Sequence, residues 1–369
     1  MNAAAAPRTM AILGRPGWDF AWFLGPGVLA AVVALALGLG DPRPASADTG
    51  VGLWIVGVLL VDVAHVWASL YRTYLDPVAR QLHRRRLIVT PLLCAWVGLM
   101  LHLESPRLFW GVLAYVAIFH FIKQHVGFAL LYVRAGGESR YDRRLVEAAV
   151  WAGTAGPVLW WHAHLPTRFV WFMPGDLVTG LPAWLGPAAL WGQVPVWLLF
   201  FGRRLQLGRR GQGHPLVPWL VLVPAINWHL GIVIFDDDRI FTITNVFLHG
   251  VPYLALVWVA GGRERVGRAL GIHGTGRLVP LLAAYYGVLV ALATSEEALW
   301  DRLVWHDHPG LFGASAVDLS TQPVVMAVVV ALLTVPQATH YVLDRFIWRV
   351  GPQNPALAEQ LGLYPRAGS

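Results

Sequence analysis

Ten stretches of about 20 mostly apolar residues, joined by arginine-bearing segments, make up most of this chain. They run over 18–40, 51–71, 87–103, 107–133, 146–163, 183–202, 215–235, 241–260, 278–298 and 323–347. Repeated apolar runs of that length belong in lipid, where each backbone N–H and C=O must be satisfied within its own segment. The expected fold is therefore all-α: a polytopic integral membrane bundle of about ten transmembrane helices. It forms a single transmembrane domain over 1–369, with short tails at about 1–17 and 351–369. Arg8 and Arg15 precede the first stretch without a small-residue cleavage site, so that stretch reads as a retained helix. The tail beyond Gly351 carries Pro352, Pro355 and Pro365 and is expected to be loose.

The arginines orient the bundle. Those of alternate connections, with both tails, number 22 on one side, against five (Arg43, Arg107, Arg168, Arg239 and Arg302) on the other. The positive-inside rule then places both termini in the cytoplasm. A sequence pI near 9.9 would suggest nucleic acid in a water-soluble protein, but 56% hydrophobic residues and a mean hydropathy of +0.54 assign the charge to topology. The partner is a lipid bilayer, not nucleic acid. Arginine in place of lysine fits a GC-rich bacterial genome, and so a multi-pass protein of the bacterial inner membrane. Cys94 is the lone cysteine and precludes an intrachain disulfide. No internal repeat or phosphate-binding loop is evident.

Four of the stretches carry a histidine well inside a polar stripe at helical spacing. The stripes are Asp62-His65-Ser69-Arg72, His120-Lys123-Gln124-Gly127, Thr242-Asn245-His249-Tyr253 and Gln337-His340-Tyr341-Asp344. All four stretches run in the same direction across the membrane, and tilt can absorb their differences in depth. Imidazoles on facing helices suit a first-row metal or proton handling. They equally suit interhelical hydrogen bonds. Asp62 and Asp344 lie one turn from His65 and His340 and are expected to orient them, with Gln124, Asn245 and Gln337 as further supports. His125 points away from His120, and His229 is a separate candidate.

Lys123 is the chain's only lysine, in Phe119-His120-Phe121-Ile122-Lys123-Gln124-His125. An ionisable amine inside an apolar stretch is a functional candidate by default. Sharing a face with His120 and Gln124, it is expected to point into the bundle and act in proton transfer or charge placement.

Short motifs around these histidines resemble the Brp/Blh family of membrane β-carotene 15,15′-dioxygenases. Leu333-Thr334-Val335-Pro336-Gln337-Ala338-Thr339-His340-Tyr341-Val342-Leu343-Asp344 is similar to its last histidine motif, Ile118-Phe119-His120-Phe121 to its Ile-His-Phe and Val246-Phe247-Leu248-His249-Gly250 to its Phe-Ile-His. The family's Pro-His-Gly is replaced here by Ala64-His65-Val66, and three extra residues separate Pro336 from His340. The resemblance implies His65, His120, His249 and His340 as ligands of a non-haem ferrous ion that acts with dioxygen.

The leading expectation is a histidine-ligated non-haem iron oxidoreductase or oxygenase. It would act on a lipophilic substrate such as an isoprenoid or fatty-acyl chain, with Tyr253, Tyr341 and Lys123 as catalytic candidates. The alternatives are a transporter or proton-coupled carrier with a midplane polar site, and a bis-histidine haem membrane protein.

Overall fold

The apolar stretches fold as helices. A computed structural model describes residues 11–40, 50–272, 277–314 and 317–363. Arg8, Arg43, Pro365 and Arg366 lie outside the described residues. In chain order the main helices are α1 (Pro16–Gly40), α2 (Val51–Arg72), α3 (Arg84–Glu104), α4 (Pro106–Ala135) and α5 (Arg140–His164). There follow α6 (Leu185–Arg209), α7 (Val217–Ile234), α8 (Asp238–Ala269), α9 (Leu278–Trp305), α10 (Pro323–Leu333) and α11 (Val335–Ile347). Among the described residues there is no strand.

Eight of these, α1 to α4 and α6 to α9, are long and apolar enough to cross a membrane. The stretch expected at 323–347 is a bent pair: α10 and α11 pass the same test together, at 41° to each other. Pro336 explains the bend, because it lacks an N–H and its ring crowds the preceding turn. The Thr334 hydroxyl occupies a nearby carbonyl by donating to Val330 O at 2.7 Å. The stretch expected at 146–163 lies in α5, which has the length, at 25 residues, but not the apolarity. Thr154, His162 and His164 dilute it, and Glu147 charges it.

Local chemistry fixes several helix ends. α4 begins at Ser105-Pro106, with Ser105 Oγ accepting from Leu108 N and Pro106 in the first turn, where its missing N–H costs nothing. α5 begins with a capping box between Ser139 and Asp142. α8 breaks at Ala260–Gly261, where Gly261 has φ +107°, a conformation that favours glycine. Arg72 Nη1, from the end of α2, donates to Ala260 O at 2.7 Å and satisfies that carbonyl at the break.

Four helices meet pairwise in a closed circuit: α2 with α8, α8 with α4, α4 with α11, and α11 with α2. Gly250 permits the first contact. A Cβ there would come within 2.6 Å of the Val61 side chain on α2. The described residues after α11, up to 363, are not loose. Leu357, Ala358, Leu361 and Leu363 are buried in the main core, and Gln360 accepts from Arg72 Nη1 at 2.8 Å. Leu357, which begins a short helix, and Leu361, which caps its end, carry the apolar signal that the surrounding prolines masked.

Candidate metal centre

The helical circuit brings the four expected histidines together. His65 on α2, His120 on α4, His249 on α8 and His340 on α11 each offer one ligand atom, and these atoms lie within 4.8 Å of one another. All four side chains are buried. Their rings follow the helices: centroid separations are 4.6 Å for His65–His249, 5.1 Å for His249–His120, 4.8 Å for His120–His340 and 5.1 Å for His340–His65. Each pair meets edge to face. The depths anticipated along the chain differed, yet each ring lies 4.6–5.1 Å from its two neighbours.

Seven buried ring nitrogens here have no hydrogen-bond partner: both of His65, His249 and His340, and Nε2 of His120. An unsatisfied buried polar atom costs about 1–3 kcal/mol. Interhelical hydrogen bonds therefore do not explain the cluster, because the imidazoles do not make them. The donor set does fit a metal ion. Two nitrogens bound at about 2.1 Å on opposite sides of one ion lie about 4.2 Å apart. A spread of 4.8 Å closes on one ion with small ring movements.

Neighbours restrain the rings. Asp344 sits between two of them, 3.7 Å from His340 Nδ1 and 3.9 Å from His120 Nε2. Tyr253 OH donates to Asp344 Oδ1 at 2.6 Å, which fixes the carboxylate. Asp62 Oδ1 stands 3.5 Å from His65 Nδ1, beyond an ordinary hydrogen bond. Gln124 Nε2 donates to the backbone oxygen of His249 at 2.7 Å and ties α4 to α8. Tyr341 lies 4.5 Å from the His120 ring, and its hydroxyl accepts from Gln337 Nε2 at 2.7 Å. Phe121 was not anticipated: its ring stacks on His249 at 3.8 Å and 6°. An aromatic next to a histidine on α4 gives no hint that it will stack on a ring of another helix.

Lys123 corrects the expectation placed on it. Its side chain is 42% exposed and its Nζ pairs with Glu147 Oε1 of α5 at 3.0 Å. The two positions are three apart, so the difference in direction arises from how α4 is seated: the wedge between α8 and α11 takes His120 and Gln124, and Lys123 falls outside it. Asn245 is fully buried, but its Nδ2 serves Phe241 O and Thr244 Oγ1 of its own helix, not the imidazoles. His125 faces α7, where Trp228 Nε1 donates to its Nε2 at 3.4 Å. His229 Nδ1 lies 2.7 Å from Ala225 O.

Comparison with protein-family models, with curated proteins and with solved structures finds no match to this chain.

Proposed function

We propose that this chain is a membrane-embedded, histidine-ligated non-haem iron oxidoreductase that acts on a lipophilic substrate with dioxygen. The observation that carries the reading is the set of four buried imidazoles with seven unpartnered nitrogens. A neutral imidazole set suits iron, zinc or copper, and the Brp/Blh resemblance favours iron. The four histidines would hold a ferrous ion, which would supply the chemistry that activates dioxygen toward an isoprenoid or acyl chain.

The chain's own groups divide the remaining work. His65, His120, His249 and His340 would hold the ion. Asp344, clamped by Tyr253, stands 3.7 Å from His340 Nδ1 and 3.9 Å from His120 Nε2, where it would orient both rings once they hold the ion. The Tyr253 proton is committed to Asp344, so Tyr253 serves as a positioning residue. Tyr341 accepts from Gln337 and so keeps its own O–H to donate beside His120. Tyr341 is thus the better proton donor to a substrate oxygen. Lys123, paired on the outside, has no part in the reaction.

The haem alternative meets a steric objection. Axial histidines need a flat macrocycle between them, and the other two rings, 4.6–5.1 Å away, fill that plane. The carrier alternative loses Lys123 from its midplane charges.

The topology belongs to the same proposal: ten spans with α5 and the bent α10–α11 pair included, both termini cytoplasmic, in a bacterial inner membrane. Reporter fusions after Arg144 and Arg277 should read cytoplasm, and one after Asp238 the outside; an inverted result at any of these overturns it. The centre is tested by metal analysis and an optical spectrum of protein purified without histidine-tag chromatography. Stoichiometric iron without a haem band is expected. A haem band, or protein that takes up no metal after reconstitution with ferrous ion, overturns the reading.

A further inference from the structure

A second polar feature runs along the contact between α2 and α9. The buried face of α9 is apolar over its inner part, at Leu281, Tyr285, Leu289 and Ala293, and turns acidic toward its outer end, at Glu296 and Asp301. Glu297 lies one turn from Asp301. Trp67 Nε1 of α2 donates to Glu296 Oε2 at 2.7 Å and joins the two helices there. Asp62 of α2 completes the group: its charge, with those of Glu296 and Asp301, acts on Glu297.

Among the described residues, none of these four carboxylates forms an ion pair with an arginine or a lysine. Carboxylates inside a span are costly without a positive partner, and they mark ion pathways. At the inner end of the group, Asp62 Oδ1 and His65 Nδ1 are both buried, unpartnered and 3.5 Å apart. Two ligand atoms that each stand about 2.1 Å from one ion can be separated by that distance. The His65 side chain is 2% exposed and that of Asp62 is 26% exposed, so Asp62 joins accessible surface to the enclosed imidazoles.

We propose that Asp301, Glu297, Glu296 and Asp62 form a path that delivers a divalent transition-metal cation from the outer end of α9 to the four histidines. The proposal rests on the reading of those histidines as a metal centre, whichever metal they hold. Uncompensated negative charge along the contact draws the cation in and raises its rate of entry. Carboxylate oxygens suit such a cation less well than a set of imidazoles, so it passes inward. Asp62 Oδ1 and His65 Nδ1, close enough to share one ion, make the transfer. An anion would be repelled along this contact, and a neutral lipid would leave its charges uncompensated.

The test loads the metal-free, full-length protein in detergent with ferrous ion under anaerobic conditions. Samples are quenched with excess chelator at intervals, and bound iron is measured by elemental analysis. Glu297→Gln should slow loading about tenfold, within the range by which charged clefts raise on-rates, and should reach the same final occupancy. Glu297→Asp, which keeps the charge, should load at the native rate. Raising the ionic strength from about 0.01 M to about 1 M shortens the Debye length from about 30 Å to about 3 Å and should slow the native protein more than Glu297→Gln. The salt dependence of the native protein stands as a test even where Glu297→Gln fails to fold. Native and Glu297→Gln proteins that fill at one rate, as expected if the carboxylates carry only protons, or a native rate indifferent to salt, overturn the path and leave the centre in place. A native protein that takes up no iron at any time overturns the centre, and the path with it.

Discussion

α3 and α8 are both long apolar helices, yet 78% of the apolar window of α8 is buried and only 11% of that of α3. α4 and α6 repeat the contrast at 67% and 17%. Apolarity does not separate the pairs, because a lipid-facing side chain and a protein-facing one can be equally apolar. What separates them is the polar stripe. α4 and α8 carry His120, Gln124, His249 and Tyr253 on the faces they bury, whereas α3 shows Leu92, Leu93 and Trp96 outward. Within these two pairs the more buried helix is the one that carries a polar stripe, although Lys123 shows that a polar position on such a helix need not be enclosed.

The largest expected effect strikes the inner group. Replacing His65, His120, His249 or His340 with Ala should remove most of the bound metal while the helices remain folded, as read by elemental analysis and circular dichroism. If a single replacement leaves metal content intact, that histidine is not a ligand.

Next comes the support around the rings. Asp344→Asn should weaken metal affinity by about 10–100-fold, the usual cost of removing a partner of a ligating imidazole. Tyr253→Phe should follow in the same direction with a smaller loss. Competition with a chelator of known affinity measures both, and equal affinities for the three proteins would show that Asp344 is a bystander.

Asp142 tests the junction of α5 with the outer α6. Hydrogen bonds from Arg203 hold its carboxyl at about 2, below the ordinary carboxylate range, with help from Ser139. Its stabilising share is thus complete above about pH 4, the unfolded value, and is lost as pH falls toward about 2. Asp142→Asn should cost on the order of 1 kcal/mol near neutrality, mostly through the weakened pair with Arg203. The difference in unfolding midpoint between the two proteins should close as pH falls through that window. A gap that persists at the acid end argues against the Arg203 pair as its source.

The smallest effect belongs to the outer face of α4. Lys123→Met should leave metal content unchanged, as read by elemental analysis. Loss of metal in this variant would restore Lys123 to the centre and break the contrast between the two faces of the helix.

The helical class, nearly all the helix positions, the four histidines and the nearness of Asp344 to His340 were legible in the chain, because apolar run length and the 3.6-residue period are local properties. Which way α4 faces was not. His120 and Lys123 differ by three positions and share a polar stripe, and only the packing of α8 and α11 against α4 decided that one is enclosed and the other left outside. The clamp of Tyr253 on Asp344, the stack of Phe121 on His249 and the docked 351–363 segment were likewise settled by contacts between residues far apart in sequence. The sequence alone determined which residues a helix would present; the tertiary structure decided which of them would be enclosed, since burial is a property of neighbours that no local pattern encodes.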